Sequence, residues 1–143
     1  MLIRALLALL LTASPTLAWE ATSGRVCELR HDSQGASVLV TYDPASAEYA
    51  IAVTSTRGWE NDRVFAMRFD GPRRNTITTD RHTLSEDGST VTVTDSGFGN
   101  VLNGLEFNNI AVAVLGDQAV AVPLAGAAPA VQEFKACVAG IEV

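Results

Sequence analysis

Hydrophobic and polar residues alternate with a period of two through most of the stretch from Val26 to Thr94. That is the spacing of strands with one buried face. Cys27 and Leu29 share a face, and Val38, Val40 and Tyr42 share the next, with Ser37 and Thr41 opposite. Asp43-Pro44 breaks the run before Tyr49, Ile51 and Val53 resume it. Phe65, Met67 and Phe69 then alternate with Arg68 and Asp70, and Asp70-Gly71-Pro72 is a turn signal. Ile77, Leu84 and the pair Val91 and Val93 mark further short strands, the last set between Thr90, Thr92 and Thr94. Short strands between turn residues at this spacing predict an antiparallel sandwich or a strongly curved sheet.

The period changes after Asp95. Residues 100–107 admit two readings. Asn103-Gly104 between apolar residues is a hairpin signal, whereas Val101, Leu102, Leu105 and Phe107 could line a short helix with Gly104 tolerated at some cost. The helix is preferred, because Ile110 to Leu115 and Gln118 to Leu124 already form a hairpin around Gly116-Asp117. Pro123 makes the second of those an edge strand or ends it. Ala127, Ala130, Val131, Phe134, Cys137 and Val138 recur at helical spacing, with Gln132, Glu133 and Lys135 opposite. Pro129 suits a first turn and Gly140 a helix stop. The fold class predicted is therefore α+β and β-dominated, an antiparallel sandwich or curved sheet with a C-terminal helix.

Residues 1–18 stand apart from this pattern. Arg4 precedes an apolar run from Ala5 to Leu11, and Thr16 and Ala18 are small residues before a cleavage point. This predicts a secretory signal peptide, too short for a stable membrane anchor, and a single β-rich domain over residues 19–143. The expected location is periplasmic or secreted. Trp19 would open the mature chain, where disorder is usual unless the end is tied down. Cys27 lies too far beyond the apolar run to be a lipidated first residue, so no membrane anchor is expected after cleavage.

Charge narrows the partners. The formal net charge is −6, and it becomes one unit more negative when Arg4 leaves with the leader. An acidic chain repels phosphate backbones, so no nucleic-acid partner is expected. An unidentified periplasmic protein or a small ligand is expected instead. The chain has two cysteines, Cys27 and Cys137. In an oxidising compartment such a pair predicts a disulfide tying the first strand to the last helix. The spacing excludes a redox CxxC, and no metal site or cofactor is expected.

Candidate chemistry is sparse. Asp80-Arg81-His82 would place Asp80 and His82 on one strand face, where a carboxylate can orient an imidazole. The plain alternative is a polar strand edge with Asp80 paired to Arg81. No GxSxG elbow marks an activated serine, and no GxxxxGK[ST] loop is present. Asp95-Ser96-Gly97-Phe98-Gly99-Asn100 has oxygen donors but lacks an EF-hand ligand series, and reads as an Asx-type turn. Arg73 and Arg74 form a small basic spot that could grip a carboxylate or phosphate. Trp59 follows Gly58 in a loop, where it could anchor a partner or cap the sandwich.

The segments Val64 to Gly71, Thr79 to Phe107 and Val122 to Val131, closing at Cys137, resemble a group of short, largely uncharacterised secreted proteins of alphaproteobacteria. Some of these carry a name borrowed from the excinuclease ABC repair system, whose ATPase component requires a phosphate-binding loop that this sequence lacks. The order of segments also looks distantly like the invasion-associated locus B family, which implies a periplasmic β-rich domain but has a different cysteine pattern. The reading that follows is a non-catalytic periplasmic accessory or binding protein. The alternatives are a small periplasmic hydrolase using Asp80 and His82, and a structural envelope component. A cavity lined by Tyr42, Tyr49, Phe65 or Trp59 would point to ligand binding; a filled core would point to a surface-mediated role.

Overall fold

The structure is a computed structural model and describes residues 19–141. The expected signal peptide lies outside the described residues. Strands β1 (Glu20–Thr22), β2 (Cys27–Ser33), β3 (Ala36–Asp43) and β4 (Glu48–Ser55) form an antiparallel meander. The chain then leaves for a second sheet with β5 (Phe65–Asp70) and β6 (Asn75–Thr79). It returns with β7 (Thr83–Leu84) and β8 (Thr90–Asp95), and β8 pairs with β4. Helix α1 (Gly99–Phe107) leads to β9 (Ile110–Leu115) and β10 (Gln118–Pro123), and α2 (Ala127–Ile141) follows. The two sheets have the orders β1-β2-β3-β4-β8-β7 and β10-β9-β5-β6.

The alternation fixes which faces meet. Cys27, Leu29, Val38, Val40, Tyr42, Ile51, Val53 and Val91 turn inward from the first sheet, and Phe65, Met67, Phe69, Ala111, Ala113 and Leu115 from the second. One hydrophobic core takes residues from both sheets and both helices. The fold is thus α+β with two antiparallel sheets and a C-terminal helix. Strand β10 is an edge, as Pro123 requires, since proline has no N–H to give a further strand.

Residues 100–107 form the helix rather than the hairpin, and Gly104 shows why. A Cβ there would collide with the ring of Phe69, with Cε2 and Cγ only 2.6 Å away. The glycine lets helix and sheet approach closely; it does not make a turn. Asn108 closes the helix. Its Nδ2 donates to the carbonyls of Gly104 (3.1 Å) and Arg73 (2.8 Å), while its Oδ1 accepts from the Arg73 N–H at 3.0 Å. This buried amide bonds the helix end to the β5–β6 turn, satisfying groups whose isolation would be costly.

Cys27 and Cys137 are joined by a disulfide with a Cα–Cα distance of 6.0 Å, as the sequence predicted. Helix α2 packs against β1 and β2, so the bond pins a contact that apolar burial already favours. Two local expectations change. Gly140 does not stop α2, which continues to Ile141. Trp19 is buried rather than frayed, and its Nε1 donates to the carbonyl of Pro123 at 3.0 Å. Strand β1 is an addition to the sequence reading, too short to show a period.

Candidate functional site

The core is not filled everywhere. A cleft of about 430 Å³ separates β4 and β8 of one sheet from β5 and β6 of the other. Its walls are Ile51, Val93, Phe65, Met67 and Ile77, and the segment Gly97–Val101 closes one end. The gap has a topological origin. Strand β6 ends at Thr79, and three residues carry the chain across to β7, which pairs only Thr83 and Leu84 with β8. Beyond Thr92 the outer edge of β8 has no strand partner among the described residues. The inner faces of β6 and β8 therefore leave Ile77 and Val93 half-buried across an open slot.

An aromatic series holds the closed end. Tyr42 lies against Tyr49 with ring centroids 4.7 Å apart, and Tyr49 stacks on Phe98 at 5.3 Å. Phe98 is buried and lines the cleft. Of the four aromatics that would mark a ligand cavity, Phe65 is on the cleft wall, while Tyr42, Tyr49 and Trp59 are not.

Polar groups collect at the mouth. Asp95 continues the Val91-Val93 face of β8, which brings its carboxylate to the cleft. There Oδ1 accepts the backbone N–H of Ser96 at 2.7 Å, and Oδ2 receives one Arg81 guanidinium contact at 3.4 Å. The Arg81 side chain is 72% exposed and that of Asp95 43%. Asp95 Oδ1 bonds the N–H of the next residue, and Asp95 and the stretch Gly97–Asn100 line the slot.

The expected Asp80–His82 pair does not form. Strand β6 ends before Asp80, so the alternation that would align the two residues is interrupted. His82 turns to the loop after Trp59, where Nε2 lies 2.9 Å from the carbonyl of Asp62 and 3.2 Å from Asn61 Oδ1. A carbonyl can only accept, so Nε2 carries the proton and its lone pair is not available there. Nδ1 is buried without a hydrogen-bond partner. Among the described residues Asp80 bonds neither His82 nor Arg81, and Arg81 pairs with Asp95 instead.

The other sequence candidates lie away from the cleft. Trp59 is 6% exposed, and its Nε1 donates to the carbonyl of Val53 at 3.2 Å, which makes it a cap on the core. The Arg73 guanidinium stacks over the Phe107 ring at 4.2 Å. Arg74 is exposed beside it. No group of three or more His, Cys, Asp or Glu residues among those described could hold a metal ion. No described helix is long and apolar enough to cross a membrane.

Arg81 and Asp95 were the residues the sequence reading did not place at a site. Asp95 carried a usable signal, since it sits two residues beyond Val93 in the same alternation. Arg81 carried none, because its position depends on where the chain changes sheets. Comparison with known proteins returns no matching family model, no similar curated protein and no similar solved structure.

Proposed function

We propose that the chain acts outside the cytoplasm as a non-catalytic binding protein, receiving a small molecule in the cleft between its two sheets. The cleft carries this reading: its walls are mainly apolar, few polar groups converge at the mouth, and its volume falls within the range of about 300–1,000 Å³ usual for small-molecule sites. The leader-like residues 1–18, the single disulfide and the resemblance to short secreted proteins support an extracytoplasmic, periplasmic setting.

The test uses the mature chain and the neutral apolar fluorophore N-phenyl-1-naphthylamine. Saturable one-to-one enhancement is expected with the wild type, and its loss with Ile77→Trp, which fills the slot. The variant must unfold at a Tm near that of the wild type for the loss to count. Absence of saturable binding by the wild type, or unchanged binding by a folded Ile77→Trp protein, overturns the reading.

A further inference from the structure

Resting on that reading, the geometry at the mouth points to a ligand class: we infer that the cleft takes an amphiphile with an apolar body and an anionic head, a monocarboxylate held by Arg81. The walls select the body. Ile51, Phe65, Met67, Ile77 and Val93 offer no hydrogen-bonding side chain, and although Thr78, Thr79 and Asn100 also line the cleft, a largely apolar body suits it best.

The two charges at the mouth differ in what they have left to offer. Asp95 is committed on both oxygens: Oδ1 accepts the backbone N–H of Ser96 at 2.7 Å and its hydroxyl at 3.5 Å, and Oδ2 accepts from Arg81. Arg81 has five guanidinium donors, and a single long contact of 3.4 Å to Asp95 is its side chain's one described hydrogen bond. Spare capacity is on the donor side. A planar guanidinium with two adjacent N–H groups matches a carboxylate bidentately, and such charge-assisted bonds are the strong ones. Among the described residues Arg81 is the only cationic one lining the cleft. An incoming carboxylate can occupy the donors that Asp95 leaves open while the tail enters beside Val93 and Ile77.

The experiment is competition against bound N-phenyl-1-naphthylamine by three ligands with a ten-carbon chain, the carboxyl carbon of decanoate included: decanoate, 1-decanol and decyltrimethylammonium. It is run near neutral pH and at about 0.15 M salt, where long-range repulsion is screened. Decanoate is expected to displace the probe from the wild type about tenfold better than decanol, an advantage of the size expected for hydrogen bonds to a charged group. Arg81→Gln should remove that advantage by weakening decanoate far more than decanol, and Arg81→Lys should keep only part of it. Equal displacement by decanoate and decanol, an unchanged preference in Arg81→Gln, or stronger displacement by the cation overturns the inference. Each of those outcomes leaves cleft binding itself standing. Failure of the fluorophore to bind strikes the proposed function instead.

Discussion

The indole of Trp19 lies almost flat on the imidazole of His31, with ring centroids 4.7 Å apart and planes 8° from parallel. The same indole reaches the carbonyl of Pro123 through Nε1. His31 belongs to one sheet and Pro123 to the edge of the other, so a single side chain bridges both. Burial of an aromatic of this size accounts for the order of a segment whose local sequence has no capacity to hold itself.

Replacement of Trp19 by alanine should therefore destabilise the domain by about 3–5 kcal/mol, the usual range for deleting a buried aromatic. Trp19→Phe keeps the ring but loses the hydrogen bond, and should cost less. Chemical denaturation of the two variants at equal protein concentration gives the comparison; a Trp19→Ala protein as stable as wild type would contradict the bridge.

Gly104→Ala sets two effects against each other. Alanine is the better helix former by about 1 kcal/mol, but its Cβ meets the ring of the fully buried Phe69. Overpacking of this kind costs about 1–3 kcal/mol, so a net loss of stability is expected. Pairing it with Phe69→Leu should recover part of the loss in a double-mutant cycle, because the smaller side chain opens the contact.

Asp87 sits in the turn between β7 and β8. The Ser85 hydroxyl bonds its carboxylate, as do the backbone N–H and hydroxyl of Ser89, holding its pKa down at about 2. The folded value lies below the ordinary carboxylate range, so the charged form is the one the turn favours. Its contribution is present above about pH 4 and is lost as pH falls towards 2. The stability gap between wild type and Asp87→Asn should accordingly shrink over that interval, and the Asp87 carboxyl carbon should titrate near 2 by NMR.

Native protein should show no reactive thiol, since both cysteines are paired. Cys27→Ser with Cys137→Ser should lower stability by about 2–5 kcal/mol, the usual loss for a native disulfide in a small domain. The reduced wild-type protein should unfold at the same denaturant concentration as the double variant.

Alternation was enough to locate the strands, because each buries one face and a one-residue slip would turn Val38, Val40 and Tyr42 outward. The disulfide followed from the cysteine pair and the oxidising compartment that the leader-like residues imply. The choice between helix and hairpin at Asn103-Gly104 turned on Phe69, a residue far away in the sequence whose ring needs the space. Trp59 lies in a loop and caps the core, one of its two readings, but the sequence could not choose between them because the carbonyls of Val53 and Gly88 that it bonds come together only in the folded chain. The cleft was the least legible feature. Local pattern identifies β6 and β8 as strands, but not the three-residue crossing that keeps their inner faces from meeting.

The Arg73-Arg74 turn is exposed and lies within the 110-residue span between the two cysteines. Exposed turns of this kind are where proteases cut. A trypsin cut there would open the backbone without freeing a fragment, since the part before it carries Cys27 and the part after it carries Cys137. The nicked molecule should run as one band without reductant and as two with it. The bond thus makes the domain a closed covalent ring, in which a single scission is a wound and not an amputation.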